Sequence, residues 1–158
     1  MSQLTVPEKP SATGFSWAAL PGSLRLLVWT GAVAVIALYA LPIQMTLDRA
    51  GVEATIVADN PGLPAADLGT YWVFALIYSY GLHTLTAAAF VWLGWKVFKR
   101  RNWARIALSA FLVFATGASL VSAFNGSMYL WAVIVGDTTH LLGLVLLWLP
   151  ATRDYLRR

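Results

Sequence analysis

The chain has 158 residues, of which 59% are hydrophobic and 11% charged, with a formal net charge of +4 and no cysteine. Soluble domains typically carry about 25% charged residues, so the composition excludes a water-soluble enzyme. The absence of cysteine also excludes disulfide scaffolds, thiol redox chemistry, cysteine–zinc sites and iron–sulfur clusters.

Charged residues are missing from three long stretches. These cover 26–47, 68–95 and 106–136, which are 22, 28 and 31 residues long. A helix of about 20 apolar residues crosses the hydrocarbon core of a bilayer, and the turn dipeptide Asn125-Gly126 divides the third stretch into two. The sequence therefore predicts an all-α, integral-membrane bundle of four spans, at 24–44, 70–95, 104–123 and 128–149.

The spans define a four-helix domain at 23–149, with a tail on each side. Residues 1–22 are predicted to form a disordered or interfacial tail, and 150–158 a basic tail. A cleaved signal peptide is the alternative for the first span, but its apolar core is too long for one and no good Ala-x-Ala site follows. The 45–69 loop is too short for a core of its own. Within it, residues 59–64 predict a turn rather than a helix or strand.

Basic residues lie almost entirely on one side of the predicted spans. Ten of them fall on the side of the two tails and the 96–105 loop, whereas Arg49 alone falls on the side of the 45–69 loop. The positive-inside rule then places both termini in the cytoplasm. We expect a multi-pass protein of a bacterial inner membrane, with 45–69 as its one large extracytoplasmic loop.

The only two histidines, His83 and His140, lie in spans two and four, which run in the same direction. Each falls 12 or 13 residues after the predicted start of its span, so we expect both imidazoles near the middle of the bilayer. One interpretation makes them cofactor-binding residues, the two axial ligands of a haem inside the bundle. The alternative is that both form hydrogen bonds between helices.

Asp137 is the only charged residue in the interior of a predicted span, since Arg25 and Arg105 each lie one residue from the start of theirs. It lies three residues before His140 on one helix face, together with Thr139, while Thr138 points the other way. Tyr80 belongs to a matching polar face on span two. Asp137, Tyr80 and Thr139 are therefore candidates for a proton, quinone or ligand pathway, or for the binding site of a small transporter.

The loop between spans two and three carries five basic residues among aromatic ones. They are candidates for binding anionic lipid headgroups, although any cytoplasmic loop of a membrane protein needs such charges. Nucleic-acid binding is excluded for a loop so short and so close to the membrane. The five residues are Lys96, Lys99, Arg100, Arg101 and Arg105.

Small residues recur at four-residue spacing, as in Thr84 with Ala88 and Thr139 with Gly143. Such spacing lets helices approach closely, either within the bundle or against another membrane subunit. Tyr78 and Tyr80 lie deep in the second predicted span, where their hydroxyls need hydrogen-bond partners. This also indicates that span two contacts other protein segments there. No phosphate-binding glycine loop, metal-binding motif or nucleophile setting is present, so we expect no catalytic residues.

Two short motifs accompany this layout, Arg100-Arg101-Asn102-Trp103-Ala104-Arg105 at the start of span three and Leu147-Trp148-Leu149-Pro150 before the basic end. On these motifs the chain resembles small four-span bacterial membrane proteins of unknown function, over most of 23–158. The resemblance implies a helical membrane fold and no particular activity. We expect a non-catalytic accessory or structural subunit that binds another membrane protein or itself. The alternatives are a haem- or quinone-binding redox or proton-pathway bundle and a small transporter.

Overall fold

The computed structural model describes residues 16–125 and 129–157. Over these residues the chain is 90% helical and contains no strand. Two single turns of 3-10 helix, Trp17–Ala19 and Ala65–Asp67, accompany six α-helices. These are α1 (Gly22–Leu47), α2 (Arg49–Asp59), α3 (Leu68–Phe98), α4 (Asn102–Asn125), α5 (Leu130–Trp148) and α6 (Pro150–Arg157).

Four of the helices, α1, α3, α4 and α5, are long and apolar enough to cross a membrane. They coincide with the four predicted spans, and each described helix end lies within three residues of its predicted position. The prediction of an all-α chain with four helices long and apolar enough to span a membrane is therefore confirmed. It succeeds because missing charge over 20 or more residues is a strong signal.

The four long helices form a closed ring. Both α1 and α4 pack against α3 and α5, so α3 and α5 occupy opposite corners. Contacts at two levels fix the direction of α1 against α3, since Gly31 lies beside Phe90 and Thr46 beside Tyr80. Against α5, Leu27 lies beside Gly143 and Gln44 beside Trp131. Since α1 runs opposite to both α3 and α5, these two corner helices run parallel to each other.

The best-packed core lies at one end of the bundle, which we call the terminal end because α1 begins and α6 lies there. Its side chains come from α1, α3, α4, α5 and α6 and are almost entirely buried. They include Leu24, Leu27, Val97, Leu108 and Leu147. The opposite end, which carries α2, is called the loop end, and no described member of the core cluster lies there.

The predicted tails take part in this packing. Leu20, assigned by sequence to the N-terminal tail, is 3% exposed and belongs to the core. Residues of the predicted basic tail 150–158 form α6 up to Arg157, which buries Thr152 and Leu156. The compact unit therefore extends beyond 23–149 on both sides, since short apolar flanks can complete a core without any periodic signal in the sequence.

The 45–69 loop contains a helix that the sequence analysis did not predict. Asp48 caps α2 by accepting a hydrogen bond from the Gly51 amide at 3.0 Å. The helix ends at Asp59, and a turn follows in which the Leu63 amide donates to the Asn60 carbonyl at 3.0 Å. The turn predicted after residue 59 is therefore present. Residues 1–15, 126–128 and 158 lie outside the described residues. Most of the predicted N-terminal tail and part of the turn predicted at Asn125-Gly126 fall in these ranges.

Candidate ligand cavity

A cavity of about 490 Å³ lies between the four long helices, in the half of the bundle nearer the loop end. Small side chains from α1, α4 and α5 form much of its wall. They are Ala34, Ala37, Ala115, Ala118, Ala132 and Gly136. A Cβ atom added at Gly136 would meet no atom within 4 Å. The cavity therefore exists because these positions are too small to fill the space that the leucine core fills at the terminal end.

The wall of the cavity is partly exposed on the side of α3 and α4. Leu82 on α3 and Phe114 on α4 both line the cavity, yet they are 45% and 75% exposed. The two helices meet nearer the terminal end, where the rings of Trp92 and Trp103 lie 5.8 Å apart. In a membrane this exposed side faces the acyl chains, so the cavity is accessible from the lipid phase.

Both histidines line this cavity, His83 from α3 and His140 from α5. The sequence predicted a common depth for the two rings, and the structure brings them to one space from opposite corners of the bundle. No hydrogen bond joins them among the described residues. Apolar side chains such as Leu38, Leu41 and Val133 make up much of the remaining wall, so the imidazoles are its most basic groups.

Neighbouring oxygen atoms orient the ring of His140. Its Nδ1 lies 3.3 Å from the Thr116 Oγ1 and 3.8 Å from the Asp137 Oδ1, and the residue is 8% exposed. With a proton on Nδ1, the ring can donate a hydrogen bond toward these oxygens, and the Thr116 hydroxyl is the nearer acceptor. In that tautomer the other nitrogen, Nε2, carries a lone pair.

His83 differs from His140 in the contacts of its Nδ1. This atom is buried and makes no hydrogen bond to any described residue. Both rings line the cavity, but of the two only His140 has side-chain oxygen atoms beside its Nδ1.

The other residues predicted for a proton or ligand pathway do not line the cavity. Thr139 Oγ1 donates to the Gly136 carbonyl at 2.7 Å, and the Tyr80 hydroxyl lies 3.3 Å from the Thr46 hydroxyl of α1. Both hydroxyls are engaged in helix contacts. Only Asp137 is placed beside a histidine, and its Oδ1 is buried without a hydrogen bond to any described residue.

The basic residues of the 96–105 segment lie over aromatic rings. The closest is the Arg105 guanidinium, 4.4 Å from the centre of the Trp148 ring, with Arg100 over Tyr155 at 4.7 Å and Lys99 over Trp95 at 4.9 Å. Lys96 lies over Trp92 at 5.7 Å, and Arg101 lies over no ring in the described part of the chain. Arg105 is 8% exposed, with Nε and Nη1 buried and unpaired among the described residues.

A second hollow, of about 450 Å³, lies between α1 and α3 nearer the terminal end. It is lined entirely by apolar residues, among them Gly31, Val35, Phe90 and Val91. Acyl chains of the bilayer suffice to fill such a surface. The two cavities therefore have similar volumes, and the one that contains the histidines is distinguished by its imidazole groups.

Thr116 was missed by the sequence analysis, as were the cavity-lining residues Phe111, Phe114 and Tyr129. No spacing rule pairs Thr116 with His140, because the contact depends on how α4 and α5 pack. Within 16–125 and 129–157 no group of three or more histidine, cysteine, aspartate or glutamate residues is arranged to hold a metal ion. No protein-family model, curated protein or solved structure matches the chain, and the resemblance drawn from its motifs stays a prediction.

Proposed function

We propose that this chain is a non-catalytic membrane protein that binds a lipid-soluble ligand inside the bilayer, in the cavity between α3, α4 and α5. The observation that carries the proposal is the position of His83 and His140 on opposite walls of one largely apolar cavity. Ligand sites in proteins are typically concave and apolar, with a few convergent polar groups.

The energetic cost of this arrangement supports a role beyond packing. An aspartate at the centre of a membrane helix costs about 2.5–3.5 kcal/mol on insertion scales, and Asp137 adds that cost beside His140. Cavities of this size also forfeit dispersion contacts that larger side chains would supply. A bundle selected for stability alone would place leucine at several of the alanine positions, as it does at the terminal end.

The ligand test compares two glycine-to-leucine variants of the full chain. Gly136→Leu places a side chain in the cavity, whereas Gly117→Leu places one on the exposed face of α4, and neither added Cβ meets an atom within 4 Å. Small molecules extracted from each protein after purification in mild detergent are identified by mass spectrometry. We expect a ligand that the unmodified chain and Gly117→Leu retain and Gly136→Leu loses. Empty cavities in all three proteins would contradict the proposal.

We further infer a bacterial inner-membrane location with both termini in the cytoplasm, from the excess of basic residues at the terminal end. Because the chain has no cysteine, single-cysteine variants report orientation without background. A membrane-impermeant maleimide should label Val57→Cys of α2 in intact spheroplasts and Arg153→Cys of α6 only after lysis. The reverse pattern would overturn the orientation.

The second candidate function is that of an accessory subunit, and it is favoured by the lipid-facing side of α3. Tyr78 is 71% exposed about 15 Å along α3 from its start, and its hydroxyl bonds to no described residue. Gly81, Leu85 and Ala88 follow on the same face and are also exposed. A hydroxyl at that depth is better satisfied against protein than against lipid.

A photo-crosslinking residue placed at position 78 tests this candidate, with the same residue at Ile134 of α5 as its control, because Ile134 is 64% exposed on a different face. In the accessory-subunit reading, position 78 gives one discrete crosslinked protein in cells and position 134 gives only lipid adducts. A crosslink of the chain to a second copy of itself would indicate self-association. Lipid adducts alone at both positions would contradict this candidate.

A further inference from the structure

We infer that the ligand of the cavity is a haem, held by the Nε2 atoms of His83 and His140 as its two axial ligands. The inference rests on the proposed function, because it names the chemical class of the molecule that the cavity takes. It is carried by the position of the two rings, by the state of their nitrogens and by the shape of the wall between them.

The first step concerns position. Two axial ligands approach an iron from opposite sides, so they must come from elements that face each other across the binding space. His83 and His140 lie on α3 and α5, the two helices at opposite corners of the ring, and both line the same cavity.

The second step concerns the nitrogens. A histidine that binds a metal usually donates its other ring N–H to a carboxylate, carbonyl or hydroxyl. His140 has Thr116 and Asp137 beside Nδ1, and the Nδ1 of His83 is buried without a hydrogen bond to any described residue. A proton on Nδ1 leaves the other nitrogen, Nε2, with a lone pair, which is the form that coordinates iron. An inward N–H would favour a ligand that accepts hydrogen bonds, such as a quinone.

The third step concerns shape. The alanine and glycine positions of α1, α4 and α5 leave a space of about 490 Å³, and Phe111 and Phe114 add aromatic wall. A large, flat and mostly apolar macrocycle fits such a wall. Because the chain has no cysteine, the haem would be held by coordination and packing, without thioether bonds to the protein.

The experiment uses the full chain in lipid nanodiscs, titrated with haemin and followed by visible spectroscopy. Binding to two imidazoles produces a six-coordinate, low-spin spectrum at one haemin per chain. We expect that spectrum for the unmodified protein and for Tyr78→Phe, which lies outside the cavity. His83→Ala and His140→Ala should each give a high-spin, five-coordinate haem, and added imidazole should restore the low-spin form.

Two further variants test the inference where an alanine variant fails to fold. His83→Met replaces one axial ligand with another, so the haem should stay six-coordinate. Its reduction potential should rise, because methionine–histidine ligation raises the potential of a haem. Thr116→Val removes a partner of Nδ1 and should weaken haemin binding about tenfold while the low-spin spectrum persists. Thr116 would then act as a positioning residue.

The outcomes separate this inference from the function on which it rests. Failure of haemin to bind, or a spectrum unchanged by both histidine variants, would overturn the haem assignment. If mass spectrometry then finds a quinol or another hydroxyl-bearing lipid that Gly136→Leu excludes, the cavity binds a ligand and only its identity was wrong. If haemin binds equally well to Gly136→Leu, its site lies elsewhere, and this also overturns the inference.

Discussion

Ser23 at the start of α1 and Thr152 in α6 are joined by a hydrogen bond of 2.8 Å between their hydroxyls, in surroundings that leave Thr152 fully buried. Thr152 also donates to the Leu146 carbonyl at 2.7 Å. One side chain therefore ties the last helix to the first helix and to α5. This link holds α6 against the leucine core rather than leaving it as a tail.

Thr152→Val keeps the shape of the side chain but removes both hydrogen bonds. We expect the free energy of unfolding to fall by about 1–2 kcal/mol, because the Ser23 hydroxyl and the Leu146 carbonyl would each lose a buried partner. Denaturation in detergent mixed with increasing dodecyl sulfate measures the change. Thr138→Val on the exposed side of α5 is the matched control and should cost little; an equal loss there would contradict the explanation.

Gly31 of α1 packs directly against the Phe90 ring of α3. A Cβ at this position would lie 2.6 Å from the Phe90 ring, so Gly31→Ala should push the ring away and cost about 1–3 kcal/mol of stability. Gly117→Ala, where a Cβ meets no atom within 4 Å, should be neutral or stabilising. The double variant Gly31→Ala with Phe90→Leu should recover part of the loss. An additive double variant would show that the ring is not the cause.

Arg100 adopts a left-handed backbone conformation, with φ of 58°, at the end of α3. The amide of Arg101 donates to the Lys96 carbonyl at 3.0 Å, which is the bond of a Schellman cap, and glycine is the usual residue at this position. Arg100→Gly and Arg100→Ala both lose the stacking on Tyr155. We expect the glycine variant to be more stable than the alanine variant by about 1 kcal/mol. Equal stabilities would mean that the cap relaxes without strain.

Asp137 faces His140 at 3.8 Å without a hydrogen bond to its Oδ1 from any described residue. Asp137→Asn removes a charge from the middle of a span, so we expect the free energy of unfolding to rise by about 1–3 kcal/mol. Denaturation of both proteins in the same detergent measures it. A lower stability would contradict this expectation. Loss of solute uptake at full expression would instead favour the small-transporter alternative.

The basic segment before α4 is expected to retain anionic lipid. Lys99→Gln and Arg101→Gln should each weaken binding of phosphatidylglycerol about fivefold, because each basic residue near a membrane surface contributes about 1 kcal/mol. Native mass spectrometry in nanodiscs of phosphatidylglycerol and phosphatidylcholine measures the retained lipid. Arg49→Gln at the loop end is the control, since that guanidinium pairs with Glu53 at 2.6 Å. Equal losses from all three variants would rule out a specific segment.

Sequence alone was sufficient for the four spans and insufficient for the elements that surround them. Hydrocarbon penalises every charge, so the limits of α1 and α3 follow closely from where charges stop. The end of α4 follows instead from the turn dipeptide Asn125-Gly126. The helix α2 has mixed composition and depends on the Asp48 cap, and α6 depends on contacts made by Thr152 and Leu156. Such short helices are stabilised by tertiary contacts, which no local pattern records.

The two histidines of the candidate site could be predicted from the sequence, but the cavity and the contacts around them could not. Counting residues along parallel spans brought His83 and His140 to a shared region. The empty space between them, its exposed wall beside Phe114 and the contact from Thr116 depend on how the helices cross. Tyr80 and Thr139 looked equivalent to Asp137 in sequence, yet their hydroxyls bond within and between helices instead.

The uneven filling of the bundle also sets where it can yield. Leucines pack closely near Leu24 and Leu147, whereas a cavity lies farther along the bundle. The four helices are therefore held most firmly at the terminal end. Small movements of the helices at the loop end would change the width of the gap beside Phe114 without disturbing the leucine core. Amide hydrogen exchange should therefore be slowest around Leu108 and faster around Ala118, and an occupant of the void should narrow that difference.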